Sequence, residues 1–271
     1  MTIVTQNDIE KALHEIGVCS GDIVLVHSSL KSFGTVEGGA EAVISALKNV
    51  ITDEGTLVMP TFAQKNFPSA LIEWSLDRPS DTGYITEVFR KMPDSLRSDQ
   101  ETHSVAAWGK LAHELTFEHK AYGPRYGTYT EWAFSESSPW QKMYDRRAKV
   151  LFLGAELESH TFKHYVEYLL VNEVLDNVES ELYEECKAQV KYSLLPNPNP
   201  NGIWPYYNAE RMMEVFDKAG IVKYGKCGNA KLMLIDVYES CVVADKAIRS
   251  DMKSWMNEPT YNWFVKYGRK I

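Results

Sequence analysis

The chain's 271 residues are 44% hydrophobic and 24% charged, a folded globular composition that excludes disordered or low-complexity architecture. Lys and Arg number 29 against 37 Asp and Glu, a net charge of −8. Nucleic-acid readers need a basic excess to neutralise phosphate, so that class is disfavoured, whereas an acidic surface suits a cationic small molecule. Cys19, Cys186, Cys227 and Cys241 are widely spaced without a C-x-x-C pair, which reads as reduced thiols rather than a disulfide framework or zinc knuckle. The first residues lack the basic-then-apolar pattern of a leader, and no apolar run nears the ~18 residues that span a bilayer. The expectation is a soluble, cytoplasmic protein without a membrane partner.

In chain order, residues 7–16 have amphipathic helical spacing, with Asn7 as the N-cap. IVLVH (23–27) reads as a buried strand, GAEAVISALKNVI (39–51) as a helix and TLVMP (56–60) as a second strand. Strand, helix, strand implies a parallel βαβ unit. Residues 61–81 read as a long loop, 85–92 as a helix, 104–109 as a strand and 110–120 as a helix. A Tyr/Gly-rich loop covers 121–137, and Ser138–Pro139 caps a helix from 139. KVLFLGA (149–155) is the most apolar strand, followed directly by a helix over 160–175. NPNPNG (197–202) reads as a turn or linker, 208–219 as a helix, 221–224 and 230–237 as strands and 240–253 as a helix. The pattern predicts one α/β domain over 1–271, a three-layer α/β/α arrangement with a mostly parallel central sheet and irregular loop insertions at its carboxyl edge.

Three constellations could carry chemistry. After the first strand, His27, Ser28, Ser29, Leu30, Lys31, Ser32, Phe33 and Gly34 lead to Gly38 and Gly39 at a helix start. Such a turn offers backbone N–H groups and a positive dipole end to an anion, though it matches neither G-x-G-x-x-G nor the P-loop, and an ordinary β–α turn reads the same way. In H-T-F-K-H-Y-V-E, spacings of four and three place His160, His164 and Glu167 on one helical face. That face fits a zinc site or a histidine base with a carboxylate neighbour. The zincin pattern fails because Thr161 stands where Glu is required. Third, the segment 97–109 gathers Asp99, Glu101, His103 and Ser104 without the G-x-S-x-G of a serine hydrolase. Tyr122, Tyr126, Tyr129, Trp132 and Phe134 in the next loop suit either a sugar or pantetheine face or simple packing.

Together VLVHSSLKSFGTVEGGAEAVISAL, GTLVMPTF, RSDQETHSVAAWG, SPWQKMYDRRAKVLFLGAELESHTFKHYVE and GKCGNA resemble the aminoglycoside 3-N-acetyltransferase family over nearly the whole chain. The resemblance implies acetyl-CoA-dependent transfer to a primary amine of an amino sugar. It places CoA on His27 to Gly34 with Gly38, Gly39, Ser104 and Val105, and the catalytic groups on His164, Glu167, Thr161 and His103. The family loop R-S-x-H-P-x-x-S departs here, with Gln100 and Glu101 at the His and Pro positions. An aminoglycoside and a nucleotide-linked amino sugar of surface-glycan biosynthesis therefore both stay open as acceptors. Because an amine is a cation at neutral pH, carboxylates are expected to receive it, from Asp99, Glu101, Glu131 and Glu167. No metal is expected, and a homodimer is admitted. The alternatives are a metal-dependent hydrolase built on His160, His164 and Glu167, and a CoA-binding module without turnover.

Overall fold

The computed structural model describes residues 3–63, 71–193 and 197–268. Its strands are β1 (Ile3–Val4), β2 (Ile23–Ser28), β3 (Thr35–Val36), β4 (Thr56–Pro60), β5 (Leu96–Arg97), β6 (Val105–Gly109), β7 (Lys149–Leu153), β8 (Lys223–Cys227) and β9 (Ala230–Asp236). β1 and β3 form a small parallel pair, and the other seven make one sheet in the order β5-β6-β4-β2-β7-β9-β8.

Apolar residues alternate between two cores, one on each face of this sheet. Leu25, Val58, Val150, Phe152 and Met233 face one cluster, and their neighbours Val24, Leu57, Leu151 and Leu232 face the other. The central strands read as continuous apolar runs because both faces are covered. Helices Gln6–Ile16 and Gly39–Ile51 contribute to one core, and Phe162–Asn177 and Val237–Ser250 to the other. Among the described residues, no helix is long and apolar enough to cross a membrane.

The expected βαβ unit is present: β2 pairs in parallel with β4 across helix Gly39–Ile51. The sheet as a whole is mixed rather than mostly parallel. Only β2 with β4 and β2 with β7 are parallel; β6 runs antiparallel to β4 and β5, and β9 antiparallel to β7 and β8. The cause is local for β8 and β9. Cys227 pairs with Ala230, so only Gly228 and Asn229 separate the strands, and two residues can join only an antiparallel pair. Thr5, not Asn7, caps the first helix through a reciprocal bond with Asp8. Ser138 and Pro139 start their helix as expected, Ser138 accepting from the Gln141 N–H. The helix Glu258–Tyr267, unforeseen from the sequence, buries Trp263 and Phe264 in the core. All four cysteines are free, three of them buried.

Candidate active site

Strands β4, β2 and β7 end at one edge of the sheet. Because β2 lies between the other two, the chain leaves it in both directions, the switch-point arrangement that opens a crevice in α/β sheets. A cleft of about 340 Å³ lies there, bordered by His27 and Ser28 from β2, Pro60 at the end of β4 with Phe62 beyond it, and Ala155, Glu158, Ser159, His160, Thr161 and His164 after β7. Antiparallel β6 begins at this same edge, since Val105 pairs with Pro60, and this brings His103 to the cleft.

The strongest chemical feature is a histidine–carboxylate pair. The helix Phe162–Asn177 buries Tyr165, Val166, Glu167 and Tyr168 in succession, so packing surrounds it. Its first turns place His164 Nδ1 2.8 Å from Glu167 Oε2, as a spacing of three allows. Glu167 is fully buried, whereas the His164 side chain keeps 24% exposure. With Nδ1–H donated to the carboxylate, His164 Nε2 is the acceptor nitrogen; it lies 3.3 Å from the Tyr129 hydroxyl, a long contact that a ligand group can replace. Thr161 lines the cleft as N-cap of the helix, making no capping bond with its side chain. His160 precedes the helix in an extended conformation, so the expected single face of His160, His164 and Glu167 does not form. Its ring instead lies against Phe152 and Phe162. Among the described residues, no three His, Cys, Asp or Glu side chains cluster as a metal site.

Three further histidines border the cleft as neutral groups. His27 sits beside Phe152 in the β2–β7 register and stacks on it at 5.3 Å. Burial lowers its pKa to about 3, and burial with the nearby His27 and His164 lowers that of His160 to about 3 as well. His103 is fully buried among Phe62, Tyr129 and Phe134, and burial, then His164 and His119, push it well below the usual range. His27 Nε2, His160 Nδ1 and His103 Nε2 have no hydrogen-bond partner among the described residues. Gln100 holds the His103 segment, its Oε1 accepting from the N–H groups of Thr102 and His103 and its Nε2 donating to Thr130. The departure from the family loop is thus a structural tie beneath His103.

The remaining expected site residues divide. His27 and Ser28 border the cleft, while Leu30–Phe33 form a 3-10 turn that buries Phe33 in the core. Ser32 Oγ donates to Ser29 Oγ and to the Gly154 carbonyl, fixing that turn. Lys31 and Gly34 are exposed, and Gly38 and Gly39 adopt positive φ at the head of helix Gly39–Ile51. Ser104 and Val105 do not reach the cleft: Ser104 Oγ bonds to Thr61, and Val105 lies in the core with its N–H on Ser98. Asp99, Glu101 and Glu131 are not brought there either. Trp74 and Lys120 engage Asp99, which lines a separate groove beside β5; Lys120 also holds Glu101, and Glu131 is exposed on its own loop. The carboxylates that border the cleft are instead Asp81 and Glu158. Asp81 lies just before the helix Tyr84–Phe89 and Glu158 in the 3-10 turn Leu157–Ser159 that follows β7, so for Glu158 proximity to a strand end was the usable sequence signal. Trp204, whose indole N–H donates to Glu167 Oε2 at 2.8 Å, carried no such signal.

Comparison with known proteins identifies the family and the fold. The profile of the aminoglycoside 3-N-acetyltransferase family matches residues 25–249. The SPbeta prophage-derived aminoglycoside N(3')-acetyltransferase-like protein YokD of Bacillus subtilis (strain 168) is 31% identical over 92% of this chain and 94% of its own length. Its crystal structure superposes with a TM-score of 0.69 at 28% identity, covering 93% of this chain and 96% of YokD. Aminoglycoside N(3)-acetyltransferase III of Serratia marcescens is 34% identical over 73% of this chain and 77% of the relative. AAC-IIIb, solved as a binary complex with CoASH, shares the fold at a TM-score of 0.71 and 19% identity, over 95% of this chain and 99% of that one. The chain belongs to the aminoglycoside 3-N-acetyltransferase family, a family of acetyltransferases.

Proposed function

We propose that the protein transfers the acetyl group of acetyl-CoA to a primary amine of an aminoglycoside-type amino sugar, with His164 as the general base. The observation that carries this is the His164–Glu167 pair at the cleft, with Nδ1 bound to a buried carboxylate and Nε2 as the acceptor nitrogen. An ammonium must lose a proton before its nitrogen can attack a carbonyl. His164 Nε2 accepts that proton, Glu167 orients the ring and stabilises the imidazolium that results, and as the N–C bond forms and the thioester C–S bond breaks the proton passes to the departing sulfur, which leaves as the thiol. Thr161, on the same side of the cleft, supplies a hydroxyl toward the reacting groups.

The residues present fit CoA, which supplies the acetyl group as an activated thioester. Gly38 and Gly39 open a helix of 13 residues with φ values of 76° and 60°, a backbone that presents N–H groups to phosphate. His27 and Ser28 join that loop to the cleft. The unpartnered His27 and His160 nitrogens offer neutral hydrogen-bonding groups to an uncharged polar chain such as pantetheine. Asp81 and Glu158 provide negative charge for a cationic acceptor, in keeping with the net charge of −8. The names of the Serratia relative and its kin favour an aminoglycoside over a nucleotide-linked sugar.

The test is a mass-spectrometric screen with acetyl-CoA, an aminoglycoside panel and nucleotide-linked amino sugars. Mono-acetylated aminoglycoside is expected, with His164→Ala lowering kcat roughly 10²–10⁴-fold, the scale of general-base loss. A chelator is expected to leave the rate unchanged. No acetylated amine from any acceptor, or near-normal turnover in His164→Ala, refutes the assignment; zinc-dependent recovery after chelation transfers it to a metal-dependent hydrolase.

A further inference from the structure

We infer that Trp204 is a positioning residue for the proton acceptor: its indole N–H fixes the Glu167 carboxylate and tempers its hold on His164. This rests on the reading of His164 as the base.

Glu167 is fully buried, and both of its observed bonds fall on one oxygen. Oε2 accepts from Trp204 Nε1 at 2.8 Å and from His164 Nδ1 at 2.8 Å, while Oε1 has no partner among the described residues. A buried carboxylate loses most of its hydration, so each remaining donor to it weighs heavily. The indole is the only one of the two donors that cannot change protonation state in the working range. It therefore supports the negative charge whether His164 is neutral or protonated. Sharing Oε2 also divides that oxygen's accepting capacity, so the imidazolium is stabilised less than it would be by an undivided carboxylate. A base that must give up its proton again after each turnover benefits from that restraint.

The surroundings hold the indole still. Trp204 is 2% exposed and meets Tyr168 edge-on, with ring centroids 5.0 Å apart. Gly127 packs against both rings: a Cβ there would lie 2.5 Å from an indole carbon and 2.6 Å from the Tyr168 ring, both rigid neighbours. Just before Trp204, Ile203 exchanges backbone bonds with Gln189 and Lys191, and Thr260 Oγ1 donates to the Trp204 carbonyl. The NPNPNG turn thus delivers an anchored donor to the site. Other titratable groups near the pair are Tyr129, Tyr168 and Tyr207, all held in their neutral form by burial first, together with His103 and His160, held neutral in the same way.

Trp204→Phe retains a ring and deletes the donor. The experiment follows the His164 imidazole by NMR from pH 5 to 9 and, in parallel, the pH dependence of kcat. Both the His164 midpoint and the acid limb of kcat are expected to move up by about half a pH unit or more, because hydrogen bonds to charged groups are among the strong ones. At pH 7, kcat is expected to fall by no more than about threefold, the loss of free base that a half-unit shift brings, with the acetyl-CoA KM within about twofold. In a Glu167→Gln background the same substitution should shift both quantities much less, since the negative charge that the two donors share is gone. If Trp204→Phe does not fold, the benzothiophene isostere of tryptophan placed at 204 keeps the shape and removes the N–H, with the same upward shift expected. An unmoved midpoint in a folded variant overturns the inference and leaves Trp204 a packing residue. The NMR readout needs no turnover, so it decides the Trp204 contact even where an active His164→Ala has refuted the base assignment.

Discussion

Acidification should unfold this protein well above the pH at which its carboxylates titrate. His27, His119 and His160 are buried as neutral rings, and burial is the first cause that holds each at a pKa of about 3 against 6.5 for a free imidazole. Their folded values are depressed, so the stability they permit is complete above about 6.5 and is lost as the pH falls toward 3, while the unfolded chain takes up protons that the folded chain refuses. Each ring contributes a slope of about 1.4 kcal/mol per pH unit inside that window. The three together remove about 4 kcal/mol between pH 6 and pH 5, a large part of the roughly 5–15 kcal/mol of a typical domain. His103 acts in the same direction. Glu87 does not interfere: against the opposing effect of burial, its bonds from Arg90, Lys91 and the Ser80 N–H hold its pKa at about 2, so its loss belongs below 4.5. Urea midpoints at pH 8, 7, 6 and 5 test this. His119, away from the cleft with its ring between Ser98 Oγ and the Ala133 carbonyl, provides the internal control. His119→Gln should lower stability at pH 8 yet make the dependence between pH 6 and 5 shallower by about 1.4 kcal/mol. A flat profile from pH 7 to 5, or an unchanged slope in His119→Gln, refutes the reasoning.

Gly38→Val should raise the acetyl-CoA KM about 3- to 10-fold with a folded protein, because a left-handed backbone costs a side chain of this kind about 1–2 kcal/mol. The φ there is 76° and the new Cβ would sit 3.1 Å from that of Ala42, so an unchanged KM by initial-rate kinetics would remove the loop from CoA binding. Asp81→Asn with Glu158→Gln should raise the acceptor KM several-fold, on the order of 1 kcal/mol of lost attraction, and flatten its rise with ionic strength. Retention of the full salt dependence in the double variant would place acceptor recognition elsewhere.

The parts of this molecule legible in the sequence are those set by near neighbours. The βαβ unit, the Ser138–Pro139 helix start and the His164–Glu167 spacing each depend on residues within one element or its flanks, and each is present. What failed depends on contacts across the chain. Periodicity gives a strand its faces but not its partner's direction, so β6 and β9 read as members of a parallel sheet. His160 has helical spacing to His164, yet a 3-10 turn at Leu157–Ser159 ends just before it and the helix begins only after Thr161. The acids of 99–101 sit beside His103 in sequence, but Lys120 and Trp74 turn them outward. Trp204 meets Glu167 across 37 positions, a separation no local pattern encodes.

The cleft's charge balance gives the four histidines different tasks. A cationic acceptor entering a site with four imidazoles would be repelled if they were protonated, and burial prevents this for three of them. Among the described residues His27, His160 and His103 have no carboxylate partner, and each is pushed toward the neutral form. His164 alone has one, Glu167, and alone keeps substantial exposure toward the cleft. Under the proposed transfer, a proton released by the acceptor amine therefore has one favourable destination, and its arrival there changes the local balance little. Before transfer the ammonium and the Glu167 carboxylate are the opposed charges; afterwards the imidazolium and the same carboxylate are. The charge has moved by about the length of a hydrogen bond within a low-dielectric enclosure, where separating it further would be costly. His103, with its ring 6.0 Å from that of His164 and its own nitrogen enclosed by aromatic rings, is suited to shaping the wall beside the base rather than to holding the proton.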